Sequence, residues 1–358
     1  MTQKLQRKTV FVGLSGGVDS AVSAALLKEQ GHTVVGVFIK TWHPDFLPCT
    51  WKEDRMDAMR VAAHLGIPFL TFDLEEAYKK GVAEYLIREY AAGRTPNPDV
   101  MCNKEVKFGA FLARALEAGA DYVATGHYAR VFVDLKTKTA HFSEGVDPAK
   151  DQSYFLWTLG QHELSHTLFP LGSMKKTEVR KLAQKFGLPN AERKDSQGVC
   201  FIGQLDMKEF LKRFIKIKRG DVIDELGVVI GEHEGVELYT LGERHGFTIT
   251  KKTPHDHPYY IVRKNIEVNT ITVTHEVSTE EGTHTEYVLD EVNWTGGTPV
   301  TSEKIEARIR YHGDRIPVTV RTQENTTIVV FAEPLRVASG QSVVLYRGTE
   351  CIGGGVVR

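Results

Sequence analysis

Four cysteines in 358 residues, with no C-x-x-C pair among them, leave no local ligand set for a zinc finger, a thioredoxin-type redox pair or a locally ligated iron–sulfur cluster. No run approaches the roughly 18 uninterrupted apolar residues of a membrane-spanning helix, and the polar start from Met1 to Lys8 lacks the apolar core of a signal peptide. A cytoplasmic protein with reduced thiols and no membrane partner is expected. Net charge is almost absent as well, at −1, but the sum hides an uneven distribution. Lys175 to Arg219 carries 13 Lys/Arg against 5 Asp/Glu, a local +8 that leaves −9 for the remainder, and the stretch from Glu276 to Glu291 has no Lys or Arg. The basic stretch could face a polyanion, or its cations could simply solvate helices such as 175–186.

What is present is an ordinary globular composition, 41% hydrophobic and 25% charged, over a length that suits about two to three domains. Residues 9–14, Thr-Val-Phe-Val-Gly-Leu, read as a short buried strand. Val18, Val22, Ala25 and Leu26 then recur at helical spacing, with Gly31 placed to end the helix. Strands at 34–39 and 68–72 flank a helix over 54–65, and a helix over 104–118 precedes a strand at 122–125. This alternation predicts a doubly wound parallel sheet over residues 1–205. Beyond it, segments become short, β-rich and glycine-separated, and 269–275, 305–311, 316–321 and 327–331 alternate as antiparallel strands do. A small β-rich central domain over 206–275 and an antiparallel β domain over 276–358 are expected.

The most specific signal is Ser15-Gly-Gly-Val-Asp-Ser20, a turn set directly between strand and helix. Such a turn aims backbone N–H groups and the positive end of a helix at an anion, so phosphates are its natural ligand. It is not a Walker A loop, since no Gly-Lys-Ser/Thr follows, nor a G-x-G-x-x-G dinucleotide fingerprint. It resembles the pyrophosphate loop of the N-type ATP pyrophosphatases, which split ATP to AMP and pyrophosphate while adenylating a carbonyl oxygen. That resemblance implies ATP as cosubstrate, serines bonding its phosphates, and Asp19 helping to hold Mg²⁺.

An adenylated carbonyl must be attacked by an amine or by sulfur, and two cysteines bear on the choice. Cys102 follows Arg94-Thr-Pro-Asn-Pro-Asp99 in a proline-stiffened loop running into a helix, with Lys104 two residues on. Cys200 lies in a second loop with Arg193 and Lys194 upstream. Positive charge and a helix N-terminus both favour thiolate. Cys49 and Cys351 have no such surroundings and read as buried structural thiols.

Five motifs in order, Gly13 to Ser20, Gly93 to Asp99 with Cys102 to Glu105, Thr125 to Tyr128, Lys150 to Phe155, and Asp195 to Gly203, resemble the tRNA-specific 2-thiouridylase family over essentially the whole chain. The resemblance implies an ATP-binding α/β domain followed by a small central domain and a C-terminal β-barrel that grip the anticodon arm of tRNA. It places Gly13, Leu14, Ser15, Gly16, Gly17, Val18, Asp19 and Ser20 around ATP, with Ile39 and Gly126 beside the nucleoside. Asn97, Pro98 and Asp99 would meet the target base, and His127, Lys150, Asp151, Gln152, Arg310, Tyr311 and Gln341 would touch RNA. The implied reaction converts C2=O to C2=S on the wobble uridine. A persulfide sulfur donor loads Cys200, Cys102 either attacks the persulfide to release hydrosulfide or resolves the intermediate after direct transfer, both routes ending in a transient disulfide with Cys200, and Asp99 serves as acid or base. Departures from the family pattern are Ile39 for Met, Glu243 for Gln and Ser339 for Pro. Two rivals are an amide- or lysidine-forming ligase on the same loop, which needs no cysteine pair, and a noncatalytic RNA-binding protein, which would release no pyrophosphate.

Overall fold

The computed structural model describes residues 7–46, 51–134, 136–194, 207–250, 257–275, 283–299, 304–324 and 326–358. The first sheet is built from β1 (Thr9–Gly13), β2 (Thr33–Lys40), β3 (Phe69–Asp73) and β4 (Tyr122–Ala124). A hairpin of β5 (Ala129–Val133) and β6 (Ala140–Glu144) leaves this sheet, and β7 (Thr167–Leu168) returns to it. The order is β3-β2-β1-β4-β7, with every neighbour parallel. Side chains of β1 alternate between two apolar layers. Val10 and Val12 pack with helix α1 (Val18–Glu29), helix α2 (Trp51–Leu65) and the helix Lys176–Lys185, while Phe11 packs with Phe72, Phe108 and Phe111 on the other face. Helices therefore cover both faces, the doubly wound arrangement that a continuous apolar strand requires.

Helix α1 ends as its sequence directs, with Gly31 at φ +89°, a left-handed conformation that a residue with a Cβ adopts only at a cost. Two features depart from the sequence reading. The stretch Glu75–Ala91 is helical, with widened π-type turns over Lys79–Glu84. The helix expected from Lys104 begins six residues earlier, running through Pro98–Met101, Cys102–Ala110 and Phe111–Glu117. Asn97 explains the earlier start. Its side-chain oxygen accepts from the Asp99 and Val100 amides at 3.1 and 3.3 Å, and Pro98 occupies the first helical position, where its missing N–H costs nothing.

The central sheet comprises β8 (Gly220–Ile223), β9 (Val229–His233), β10 (Thr248–Ile249), β11 (Tyr260–Asn265) and β12 (Thr270–Thr274), in the order β10-β9-β8-β12-β11. The last six strands are β13 (His284–Trp294), β14 (Ile305–Arg308), β15 (Ile316–Gln323), β16 (Thr326–Leu335), β17 (Ser342–Arg347) and β18 (Glu350–Val357). They run antiparallel in the order β13-β16-β15-β14-β17-β18, and pairing of β13 with β18 closes them into a barrel. The β5–β6 hairpin extends the barrel wall, since β6 pairs with β18 at Cys351↔Phe142. No described helix is long and apolar enough to cross a membrane.

Candidate active site

The carboxyl ends of adjacent parallel strands form the natural crevice of an open α/β sheet, and two of the motifs sit there. Ser15 to Ser20 leaves β1 and enters α1, while Thr125 to Tyr128 leaves the neighbouring β4. Gly16 adopts φ +77°, and a Cβ there would meet Arg193, the Asp54 carbonyl and Asp57 within 2.8–3.1 Å. Asn190 and Arg193 donate to the Gly16 carbonyl at 2.7 and 3.3 Å, and Arg193 is itself fixed by Asp54 and Asp57 at 2.6 and 2.8 Å. The turn closes on itself as the Ser15 amide donates to Ser20 Oγ at 3.3 Å and Ser20 Oγ donates to the Gly17 carbonyl at 3.1 Å. This rigid turn points the N-terminus of the twelve-residue α1 outward, with the helix dipole behind it.

Asp19 is held from two sides. Lys176 Nζ donates to both carboxylate oxygens at 2.8 Å, and the Tyr128 hydroxyl donates to Oδ1 at 2.9 Å. Gly126 makes this convergence possible, because a Cβ there would lie 2.9 Å from the carbonyl carbon and Cβ of Asp19 and from the Ser20 amide nitrogen. Ile39 and Phe111 bracket Gly13, at 3.8 and 3.7 Å from where its Cβ would stand. Sequence reasoning missed Lys176, Asn190 and Arg193, which arrive from more than 150 residues away and carry no local signal that they meet the turn.

The helix bearing Cys102 passes over the same crevice, with Phe108 5.8 Å from the ring of His127 and Phe111 against Gly13. Cys102 is not in a loop, as its proline-rich approach suggests, but at the start of the π-type segment and 5% exposed. Its neighbour Asn103 donates to the Phe155 carbonyl at 3.0 Å. Asp99 stands in the first turn of this helix, and burial raises its carboxyl above the usual range against the opposing pull of the Lys107 ammonium. His127 is buried between Phe108 and Phe169 with Nδ1 2.7 Å from Thr125 Oγ1. Burial, reinforced by Lys107, holds it well below the ordinary histidine range, so the ring is neutral at pH 7. Cys200 and Cys49 lie outside the described residues. Cys351 is buried in the barrel and burial pushes its thiol up, in keeping with an inert structural role.

The residues expected to touch RNA divide into two groups. Arg310 is exposed, and Tyr311 is 37% exposed, stacked 3.9 Å from His312 and tilted against Phe155 at 4.5 Å. Lys150 is half-buried. The side chains of Asp151, Gln152 and Gln341 are engaged inside the protein. Asp151 is 2% exposed and accepts from Ser153 Oγ at 2.9 Å and from Arg308 of the barrel at 3.2 Å. Gln152 accepts from the Tyr128 amide at 3.1 Å, and Gln341 donates to the Thr95 carbonyl at 2.9 Å. The basic stretch is likewise partly consumed: Lys176 binds Asp19, Arg193 binds Asp54 and Asp57, Lys208 binds Glu243, and Lys212 binds Glu209 and Glu234. Its outward cations include Arg213, Lys216 and Lys218.

Comparison with known proteins completes this picture. A family model described as a tRNA methyl transferase HUP domain matches residues 8–204. A tRNA methyl transferase PRC-barrel domain model matches 208–275, and an aminomethyltransferase beta-barrel domain model matches 284–357. A tRNA-specific 2-thiouridylase MnmA of Enterococcus faecalis is 46% identical over 354 residues, 97% of this chain and 94% of the relative. The chain belongs to the tRNA-specific 2-thiouridylase family. Its Janthinobacterium relative of the same name is 42% identical over 365 residues, 99% of this chain and 98% of the relative. Among solved structures, the U34-tRNA thiolase NcsA from Methanococcus maripaludis with its [4Fe-4S] cluster matches 59% of this chain and 65% of its own, at 17% identity and TM-score 0.36. The three matched segments follow the three-part order of α/β domain, central sheet and closed barrel in this chain.

Proposed function

We propose that the protein is an ATP-dependent tRNA-uridine 2-sulfurtransferase acting on the wobble uridine of the anticodon loop. The observation that carries this reading is that the Ser15 to Ser20 turn at the N-terminus of α1 and the helix of Asp99 and Cys102 border one crevice. Family membership supports it, through relatives named for 2-thiouridylation of tRNA.

In the reaction the uridine, extruded from its loop at modest cost, presents O2 to the α-phosphorus of ATP and pyrophosphate leaves. The end of α1 favours the charge of the phosphates, and on their arrival the amides and hydroxyls of the Ser15 to Ser20 turn would exchange their internal bonds for phosphate oxygens. Sulfur from a Cys200 persulfide, charged by an external donor, then adds to C2, and the C2–O2 bond breaks to release AMP. The Cys102 thiolate attacks Cys200 Sγ, either before or after sulfur reaches C2. The S–S bond of the persulfide is thereby replaced by a Cys102–Cys200 disulfide, and an external dithiol reopens it. Asp99, with its affinity for a proton raised by burial, is suited to exchange protons with the base. Cys102 is 5% exposed and stands at the start of a π-type segment, a feature frequent at functional sites.

Mg²⁺ fits as a companion of ATP. No cluster of three or more ligating side chains exists among the described residues, and a magnesium ion satisfied mainly by phosphates and water needs only one or two carboxylates. Asp19 would be one such ligand, in competition with Lys176. The test is incubation with unmodified tRNA, Mg-ATP and sulfide, followed by nucleoside mass analysis: 2-thiouridine at the wobble position supports the proposal, and pyrophosphate release without thiolated nucleoside overturns it.

A further inference from the structure

Resting on that functional reading, we propose that Lys264, a residue of the central sheet, is a positioning residue that sets the loop presenting Asp99 to the target base. The loop begins at Gly93, whose φ of +74° bends the chain away from the preceding helix, and ends at the Asn97 cap. Lys264 reaches it from β11, where its ammonium donates to the Gly93 carbonyl at 3.0 Å and to the Tyr239 carbonyl of the central segment. One cation therefore ties the start of the loop to the central segment through backbone atoms, which side-chain substitution in the loop cannot replace.

Two residues on, Thr95 is gripped by both C-terminal parts at once. Its hydroxyl lies 3.2 Å from that of Thr240, its amide donates to the Ser339 carbonyl at 2.8 Å, and its carbonyl accepts from Gln341. Gly340 closes on it so tightly that a Cβ would stand 2.8 Å from the Thr95 nitrogen. Between these points Arg94 is fixed by Glu89 through two bonds of 2.5 and 2.9 Å. The loop is held from the first segment, the central sheet and the barrel, so how those parts dock determines where Asp99 and Cys102 stand.

The electrostatic setting suits a designed contact rather than an incidental one. Burial lowers the Lys264 ammonium to about 8, while Glu243 and Glu237 favour its charge. Glu243 also binds Lys208 at 2.6 Å and caps the Thr240 amide at 3.1 Å. A buried cation needs such compensation, and here it comes from the segment that carries Thr240.

The experiment compares wild type with Lys264→Met, which keeps most of the aliphatic stem, and Thr240→Val, which keeps the shape. Both are assayed for 2-thiouridine with unmodified tRNA, Mg-ATP and sulfide, and for amide exchange over residues 93–101. Lys264→Met should lower kcat about tenfold or more, leave KM for ATP within about twofold, and speed loop exchange about tenfold. Thr240→Val should do the same to a lesser degree, about threefold. Loop exchange and kcat both within about twofold of wild type in Lys264→Met overturn the proposal. If that variant does not fold, Lys264→Gln is compared instead, and unchanged kcat and loop exchange there overturn the proposal. Wild type that makes no 2-thiouridine defeats the functional reading, while loop exchange in the variants still decides the positioning claim.

Discussion

Gly126→Ala isolates the contact on which the nucleotide turn depends. Gly126 needs no left-handed conformation, so the substitution acts through space alone. The new methyl would lie 2.9 Å from the carbonyl carbon and Cβ of Asp19 and from the Ser20 amide nitrogen, and two of these three atoms are backbone. Neither the turn nor β4 can yield cheaply, because Asp19 is fixed by Lys176 and Tyr128 and the Gly16 carbonyl by Asn190 and Arg193. Overpacking of this kind costs about 1–3 kcal/mol in folding stability. Relief by a shift of several tenths of an ångström moves the turn proposed to face the phosphates, and misplacement approaching 1 Å costs on the order of 100-fold in rate. Gly119→Ala is the matched control: Gly119 sits at φ +90° with nothing within 4 Å of a Cβ, so it should lose about 1–2 kcal/mol with no effect on rate. The assays are urea unfolding and tRNA-dependent pyrophosphate release. Wild-type pyrophosphate release by Gly126→Ala would refute the placement of ATP against this turn.

Lys176→Met should remove both bonds to Asp19 and, at about 1.5–3 kcal/mol for a charge-assisted pair, slow pyrophosphate release by roughly 10- to 100-fold in steady-state assays. Burial raises the Asp99 pKa in the folded state, so its favourable contribution is present below the unfolded value of about 4 and is lost as pH rises through the folded value. Asp99→Asn should therefore be more stable than wild type at pH 7, with the difference vanishing below about pH 4 in urea titrations, and it should make no 2-thiouridine. Reversing Arg213 and Lys216 to Glu should weaken tRNA binding and flatten its salt dependence by about one to two units of slope. Tyr311→Ala should weaken binding with little change in slope, because stacking releases no counterions. Equal slopes for wild type and the charge reversal in binding titrations would leave the basic stretch as a solvated surface.

Local signals in the sequence carried the first sheet, because β1, α1 and the turn between them are specified by neighbours: an apolar run, two glycines and a helical apolar stripe. Cys102 was misplaced in a loop because prolines usually mark loops, whereas Pro98 here fills the first position of a helix capped by Asn97. The engagement of Asp151 and Gln341 inside the protein had no local mark either. Their partners, Arg308 and Thr95, are 157 and 246 residues away, and only the closing of the barrel against the first segment brings them near. The same distance hides the partners of the basic stretch. Lys176 reads as one more surface cation until the fold sets it on Asp19.

Oxygen tracing tests most directly whether uridine O2 is adenylated before sulfur arrives. RNA carrying ¹⁸O at C2 of the wobble uridine is incubated with the protein, Mg-ATP and sulfide, and AMP is analysed by mass. If the C2–O2 bond breaks while the bond from O2 to phosphorus persists, ¹⁸O is expected in the phosphate of AMP in proportion to the 2-thiouridine formed. Thiolated RNA accompanied by unlabelled AMP would contradict it.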